Sequence, residues 1–250
     1  MLGKSPAMPD AGGAQSGYLI THGDFTLLLE CGGGVFAKLR AFAEPLAVDA
    51  VLVSHLHADH TLDLLPFSFA LAHSLQPERP RRPPLWAPPG ARSALGAFAS
   101  SLGMEDQISD GFALREYDPA RPLEIGPFTV LFRAVPHYIP TWGCDVRCAE
   151  GGRLTYGADC GPNDAIVDLG HDTPTLMLEA TEGPGPHLGG GERGHLTAAE
   201  AGELARRAGA RRLLLTHYSD QFDAGQLRNA AEGTFGGTVE MATERARYVL

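Results

Sequence analysis

The sequence has no long hydrophobic run and very few lysines. No stretch of eighteen apolar residues occurs, so we expect no membrane-spanning helix. The first ten residues lack the apolar core of a secretory signal, and we therefore expect a cytoplasmic protein. Lysine occurs only as Lys4 and Lys38, and the formal net charge is −10. Because a protein that grips RNA by its backbone normally displays a basic face, this balance argues against extensive nucleic-acid binding.

Paired cysteine motifs are also missing. The four cysteines stand at irregular spacings, and none belongs to the Cys-x2-Cys pairs of structural zinc sites. We expect free thiols in a reducing compartment, with Cys144 and Cys148 as an alternative redox pair. Two arginine clusters, in residues 79–82 and 206–212, lie in a proline-rich loop and around a helix end. We interpret both clusters as solvated surface.

One dense motif stands out against these absences. Residues 54–60 read Ser-His-Leu-His-Ala-Asp-His and follow the apolar run Ala50–Val53. Such a run is typical of a buried strand, so the histidines are predicted where a central strand ends. In extended backbone His55 and His57 point to the same side, where two imidazoles can hold one metal ion.

The end of this motif supplies a second pair of ligands. Asp59 and His60 lie just past the predicted turn and can hold a second metal ion. Imidazole together with carboxylate suits zinc, with manganese or iron as alternatives. The competing interpretation is a surface histidine cluster without a metal.

The motif His55-x-His57-x-Asp59-His60 resembles the signature of the metallo-β-lactamase superfamily of metal-dependent hydrolases. The resemblance implies an α/β (α+β) fold, namely a four-layer αββα sandwich of two mixed β-sheets flanked by helices. It also implies a cofactor of two divalent metal ions, zinc first, at the edge where the sheets meet.

Apolar runs and turn residues predict alternating strands and helices along the whole chain. A hairpin is expected at residues 18–30, a helix at 61–75 with Leu62, Leu65 and Phe69 on its apolar spacing, and a capped helix at Thr197–Ala208. Residues 1–10 hold little strand character, so the first strand is either short or truncated. No short repeat and no linker divides the chain, and we expect one domain over residues 1–250.

The remaining predicted elements alternate through both halves of the chain. The strands are expected at 50–53, 85–87, 112–117, 128–135, 144–149, 153–156, 175–178, 213–215 and 238–241, and the helices at 35–42, 90–102 and 226–232.

The second half offers three more candidate ligands at strand ends, His137, Asp159 and His217. Each alone could equally be a hydrogen-bonded core residue, but together with the first motif they predict a two-metal site. The resemblance implies that one ion is held by His55, His57 and His137, the other by Asp59, His60 and His217, and that Asp159 bridges the two. The resemblance also makes Asp59 a catalytic residue. A water shared by the two cations would be a hydroxide near neutral pH, because each cation lowers its pKa.

Two more residues indicate a branch of the superfamily. Glu179 in Glu-Ala-Thr and His195 in His-Leu-Thr are similar to the Glu-Ala-Thr and His-Ser-Thr motifs of ribonuclease Z and its phosphodiesterase relatives. Two short motifs resemble the same branch, namely His137-x-x-Pro140-Thr141-x-Gly143 and Leu215-Thr216-His217-Tyr218-Ser219. The resemblance implies that His195 donates a proton to the leaving oxygen and that Glu179 orients it. The alternative is that His195 only neighbours a helix cap.

The chain departs from ribonuclease Z in one respect. In that enzyme a long tRNA-binding arm separates the third histidine from the bridging aspartate, whereas Asp159 lies only 22 positions after His137 here. We therefore predict a phosphodiesterase that acts on small phosphodiesters, such as a cyclic nucleotide or a short oligonucleotide. The alternatives are a tRNA 3′-end endonuclease, a hydrolase of carboxylic esters or lactones, and a metal-binding module without turnover. No membrane partner is expected, and the resemblance allows a homodimer.

Overall fold

The computed structural model describes residues 1–43, 47–73, 82–187 and 193–250. In these ranges the strands are β1 (Tyr18–His22), β2 (Phe25–Leu29), β3 (Ala50–Leu52), β4 (Pro84–Ala87), β5 (Ala113–Glu116), β6 (Leu123–Ile125), β7 (Phe128–Val135), β8 (Thr141–Cys148), β9 (Arg153–Tyr156), β10 (Thr175–Glu179), β11 (Arg212–Thr216) and β12 (Thr238–Met241). The helices are α1 (Val35–Arg40), α2 (Ala58–Thr61), α3 (Leu64–Ala72), α4 (Ala91–Ser101), α5 (Gln107–Gly111), α6 (Asp164–Leu169), α7 (Ala198–Ala208) and α8 (Ala224–Phe235).

The strands form two mixed sheets. The first has the order β1-β2-β3-β4-β5 and the second the order β12-β11-β10-β9-β8-β7-β6. In the first sheet only β1 and β2 pair antiparallel. In the second sheet the pairs from β9 to β12 are parallel and those from β6 to β9 are antiparallel. This is the predicted αββα sandwich with helices outside.

In the middle of the first sheet, residues 27–29 of β2 and 50–52 of β3 are buried on both faces, which explains their continuous apolar runs. Leu27 and Leu29 of β2 belong to the core between the sheets, whereas Leu28 belongs to the cluster under the outer helices. In the same way Leu52 faces the inner core and Val51 the outer cluster. Because side chains in these two segments alternate between two apolar layers, neither segment has a polar position.

Strand direction places several chain segments at one edge of the second sheet. Strands β9, β10 and β11 are parallel, and β7 runs in the same direction because two antiparallel pairings separate it from β9. Their carboxyl ends therefore meet at a common edge. Strand β10 ends on Glu179, and the other three are followed within three residues by His137, Asp159 or His217. The edge of the sheet, and not proximity in sequence, brings these residues together.

The predicted helix over residues 61–75 is wrong in its bounds and in its buried face. The chain forms α2, turns, and then forms α3, because the Asp63 carboxylate accepts a hydrogen bond from the Phe36 backbone N–H at 2.8 Å and draws the turn toward α1. Leu62 is 43% exposed and Phe69 51% exposed, whereas Leu64, Phe67 and Leu71 are buried.

Other differences are smaller. The short strand expected within residues 1–10 is present only as a single bridge between Gly3 and Gly17. Three short elements, β6, α5 and α6, were not predicted. Most of the predicted Pro/Arg loop at 76–84, with Arg79 and Arg81, lies outside the described residues. None of the helices in the described part of the chain has the length and apolar character needed to cross a bilayer.

All four cysteines are free, as the sequence predicts. Cys144 and Cys148 lie four residues apart on β8. Four residues of extended strand span about 13 Å, which a disulfide cannot bridge without moving the backbone. The alternative of a redox pair between them is therefore wrong.

Candidate metal centre

The segment after β3 is held rigidly from outside the motif. The Ser54 backbone N–H donates to both Glu30 carboxylate oxygens, at 3.1 and 3.3 Å. The Tyr117 hydroxyl donates to the Val53 and Ser54 carbonyls, at 3.2 Å each. These contacts fix the direction in which the chain leaves the strand, and with it the position of His55, which is fully buried.

The turn that carries Asp59 packs against a glycine loop. The Cys31 N–H donates to the His60 carbonyl at 2.9 Å. At Gly32 a Cβ atom would lie 1.9 Å from the Asp59 carbonyl oxygen, so any larger residue would displace the turn. The sequence Cys31-Gly32 after β2 is therefore needed to seat the second half of the motif.

The seven predicted ligands converge at one edge of the sandwich in two groups. In each group the candidate ligand atoms lie within 4.8 Å of one another. The first group is His55, His57 and His137, and the second is Asp59, His60, Asp159 and His217. The family resemblance implies the same separation of the six other ligands, with Asp159 shared between the two ions.

Asp159 lies between the two groups. One carboxylate oxygen, Oδ1, is 3.3 Å from His60 Nε2, and the other, Oδ2, is 3.4 Å from His217 Nε2. Oδ2 is also 3.9 Å from His55 Nε2 and 4.0 Å from His137 Nε2, both in the first group. A carboxylate in this position can contact two cations at once.

Outer hydrogen bonds select the nitrogen that each histidine turns inward. The Nδ1 atom of four histidines faces a polar group away from the cluster, which leaves Nε2 as the inward atom. Three of these contacts are hydrogen bonds, from His55 to Ser54 Oγ (3.0 Å), from His137 to the Gly194 carbonyl (2.7 Å) and between His217 and Thr181 Oγ1 (2.8 Å). The fourth is a longer approach of His60 Nδ1 to the Glu30 carboxylate at 3.5 Å, and this nitrogen has no hydrogen-bond partner. His57 differs, because its Nδ1 lies 3.0 Å from His137 Nε2 and is therefore its inward atom.

The backbone next to the site adopts the left-handed conformation at three residues that are not glycine. Their φ angles are 64° at Glu30, 54° at Ala158 and 49° at His217. Such residues are uncommon, and they persist where the surrounding structure enforces them, often at functional sites. At His217 the enforcing group is the Thr181 hydroxyl, which lies 2.8 Å from Nδ1 and 3.0 Å from the carbonyl of the same histidine.

The donor set fits a metal ion. His55 Nε2, His60 Nε2 and Asp159 Oδ1 are buried and have no hydrogen-bond partner. Burial lowers the pKa of His55, which favours the neutral imidazole that can bind a metal. Burial opposes ionisation of Asp159, but the charges of His217 and His60 hold the pKa of its carboxyl well below its usual range. Burial opposes the charged form of His60, but the Asp159 and Glu30 carboxylates raise its pKa well above the usual value, so a bound cation would replace that proton. Imidazole nitrogens and an ionised carboxylate with unsatisfied inward atoms are the donors that a divalent cation requires.

His195 and Glu179 form a pair beside this cluster. His195 Nδ1 lies 3.0 and 3.1 Å from the two Glu179 carboxylate oxygens, and Glu179 also accepts from the Cys160 N–H at 2.7 Å. Burial of His195 disfavours its charged form, but the hydrogen bond and charge of Glu179 outweigh burial and raise the pKa of His195 to about 9. The His195 ring lies 5.0 Å from the His137 ring, centroid to centroid. Its ligand atom is also within 4.8 Å of those of His137 and Asp159.

The segment that carries His195 is clamped by an arginine that the sequence did not single out. Arg193 donates to both Glu200 oxygens, at 2.5 and 2.7 Å, and to Glu182 at 2.7 Å. Glu200 also closes the predicted capping box with Thr197. A bidentate arginine–carboxylate pair fixes geometry well, so this clamp holds the loop before α7 in one position.

The chain is similar to several known proteins in sequence. A sequence model described as the β-lactamase superfamily domain matches residues 26–218. The uncharacterized protein Rv1339 of Mycobacterium tuberculosis is 35% identical over 246 residues, which cover 96% of this chain and 87% of that protein. Ribonuclease Z of Myxococcus xanthus is 29% identical over 291 residues, which cover 96% of this chain and 94% of that enzyme.

One relative is similar in both sequence and structure. The probable metallo-hydrolase YhfI of Bacillus subtilis is 32% identical over 244 residues, which cover 97% of this chain and 95% of that protein. Its crystal structure aligns with a TM-score of 0.84 and 28% identity, over 97% of this chain and 95% of that one. The chain therefore belongs to the β-lactamase superfamily and is related to ribonuclease Z.

Proposed function

We propose that this chain is a two-metal hydrolase that cleaves small phosphodiesters, such as a cyclic nucleotide or a short oligonucleotide. The observation that carries the proposal is the His195–Glu179 pair, 3.0 Å apart, at the border of the histidine–aspartate cluster. A proton donor beside a metal centre suits a reaction with a poor leaving group. A metal-storing or sensing module has no use for that donor.

The metal-binding residues are assigned from the two groups of donors. His55, His57 and His137 hold one divalent ion and Asp59, His60 and His217 the other, with Asp159 between them, and zinc is the first choice for such donors. When bound, the ions polarise the phosphoryl oxygens and lower the pKa of water. Asp59, whose Oδ2 is 3.2 Å from His217 Nε2, would be the carboxylate ligand of the second ion.

His195 supplies the proton for the departing oxygen. Its Nδ1 atom is occupied by Glu179, so Nε2 is the atom that can donate. An alkoxide leaves poorly unless it is protonated, and a positioned acid typically contributes about 10²–10⁴-fold. Glu179 keeps the imidazole in one tautomer and stabilises its protonated form, and Arg193 keeps the loop around it in place.

Small substrates are favoured over tRNA for two reasons. The segment from His137 to Asp159 is filled by the hairpin of β8 and β9 and by the loops that join it to the site. The net charge of −10 opposes binding of a polyanion through its backbone. The second candidate is tRNA 3′-end cleavage, which the similarity to ribonuclease Z favours. Hydrolysis of a carboxylic ester or lactone is a third candidate, and it too involves an alkoxide leaving group.

A substrate panel tests the proposal. Metal-loaded protein is assayed with a cyclic nucleoside monophosphate, a dinucleotide, a lactone and a precursor tRNA, and metal-stripped protein is the control. We expect turnover of at least one small phosphodiester that is lost on stripping, weak tRNA binding at physiological salt, and little lactone hydrolysis. Correct 3′ processing of tRNA with tight, salt-sensitive binding would favour the second candidate, and turnover of the lactone alone would favour the third.

A further inference from the structure

An exposed aromatic ring stands next to the candidate metal centre. Tyr138 follows the ligand His137 and is 61% exposed, although it contacts two residues of the site. Its ring centroid lies 5.1 Å from that of His137 and 5.7 Å from that of His195. A large aromatic side chain left in water at this position gains little from burial, so its exposure calls for a function.

The ring is held in place by a close approach of two loops. At Gly194 a Cβ atom would lie 2.7 Å from Tyr138 Cε2 and 2.9 Å from His137 Nδ1. Only glycine allows the backbone before His195 to lie against both rings. One side of the tyrosine is therefore supported by the protein, while much of the side chain remains open to solvent.

The proposed chemistry determines what lies against the open side. His195 donates to the departing oxygen, so the leaving group must lie beside His195, and the Tyr138 ring is adjacent to that residue. In a nucleoside phosphodiester the base lies one sugar away from the phosphate. A flat base offers a π-face for stacking on an aromatic side chain, and such stacking tolerates any base.

In the described part of the loop before α7, the arginine side chain is not available to a substrate. The guanidinium of Arg193, which lies in the same loop as Gly194, is held by Glu182 and Glu200 and is not free to bind a phosphate. Binding of the leaving group at this position can instead use a planar apolar surface, which Tyr138 provides.

We infer that Tyr138 forms a stacking subsite for the base of the leaving nucleoside, so that the substrates are nucleoside phosphodiesters and not phosphodiesters in general. This inference rests on the proposed function. It assigns a specificity-determining role to one residue outside the metal ligands and the proton donor.

The test uses dinucleotides that differ by one base. The substrates are thymidylyl-thymidine and its two analogues in which one or the other thymine is replaced by hydrogen. Wild type is compared with Tyr138→Ala, Tyr138→Phe and Phe69→Ala, the last a matched control because Phe69 is an exposed aromatic on α3. Metal content is measured for every variant, since Tyr138 contacts a ligand.

We expect Tyr138→Ala to lower kcat/KM for the full dinucleotide by about tenfold, to have no effect on the analogue that lacks the leaving-group base, and to keep its metal. Tyr138→Phe and Phe69→Ala should behave as wild type. Equal losses on all three substrates, or no loss on any, would overturn the stacking role while leaving phosphodiester hydrolysis intact.

A binding measurement separates this inference from the proposed function. Calorimetric titration with thymidine 5′-monophosphate and with 2-deoxyribose 5-phosphate needs no turnover. Tighter binding of the nucleotide by about tenfold, lost in Tyr138→Ala, is the expected result, and equal binding of both ligands would contradict stacking. Failure of wild type to cleave the dinucleotides and the cyclic nucleotide alike would overturn the proposed function, whatever the titration shows.

Discussion

Two buried aspartates in the same sheet have opposite surroundings. Asp145, on β8, accepts from Arg147 at 2.6 Å, from Arg153 at 2.9 Å and from the Thr155 hydroxyl at 2.6 Å. Asp159, which follows the neighbouring strand β9, is 1% exposed and its Oδ1 has no hydrogen-bond partner. Its neighbours are histidine nitrogens between 3.3 and 4.0 Å away.

The difference distinguishes a structural carboxylate from a ligand. Asp145 has the cations and donors that compensate its burial, so its role is to hold the hairpin of β8 and β9 together. Asp159 lies among imidazoles, none of which makes a hydrogen bond to its Oδ1, although the Asp159 and Glu30 carboxylates outweigh burial and raise the pKa of His60. A divalent ion would supply positive charge and satisfy Oδ1 together with the unsatisfied nitrogens of the neighbouring histidines.

The largest predicted effect contrasts the two aspartates directly. Asp159→Ala should lower occupancy of both metals and reduce turnover by more than the ~10–100-fold that loss of an outer-shell partner costs. Asp145→Ala should keep full metal content but lower the free energy of unfolding by about 2–3 kcal/mol, because two arginines lose their partner while Arg147 still reaches solvent. Metal analysis and denaturant unfolding of both variants measure this contrast. Full activity and metal content in Asp159→Ala would remove the bridging role.

The second prediction separates proton donation from metal binding. His195→Ala should lose about 10²–10⁴-fold on a nucleoside alkoxide leaving group and keep both ions. Bis-p-nitrophenyl phosphate should be largely spared, because p-nitrophenolate leaves without a proton. Glu179→Gln should show a milder form of the same pattern. If both substrates suffer equally, or if the metal is lost, His195 is a ligand or a structural residue.

The third and smallest prediction concerns the clamp on the loop before α7. Arg193→Met should shift His195 and lower activity on the alkoxide substrate by about 10-fold, with less effect on the p-nitrophenyl ester. Arg206→Met is the matched control, since among the described residues Arg206 forms an ion pair with Glu203 alone, on the exposed side of α7. The ratio of the two activities is the measurement. A purely structural role for Arg193 would lower both activities in parallel and leave that ratio unchanged.

Much of the fold could be predicted because apolar runs, turn residues and helix caps are properties of short stretches of sequence. The apolar run before His55 and the capping box at Thr197 and Glu200 predict elements that the structure contains. The buried face of α3 was mispredicted, since Asp63 binds α1 and shifts the helix start, which no local spacing reveals. The grouping of the seven candidate ligands followed from family resemblance, and the structure brings those residues together.

The supporting residues of the site could not be predicted in the same way. Glu30 contacts Ser54 across 24 positions, and Arg193 contacts Glu182 across 11 positions, so neither pairing follows from a motif. Tyr138 could have attracted attention, because an aromatic residue directly follows a candidate ligand, but its exposure is a property of the folded chain. Long-range packing decides these contacts.

Counting the metal ions in the folded protein tests the central claim most directly. Protein loaded with zinc and freed of excess metal is analysed by elemental mass spectrometry, beside Asp145→Ala and Asp159→Ala treated in the same way. We predict about two ions per chain in wild type and in Asp145→Ala, as in two-metal hydrolases, and a loss in Asp159→Ala. At most one ion per chain in wild type after loading, or equal metal content in all three proteins, would contradict a two-metal centre bridged by Asp159.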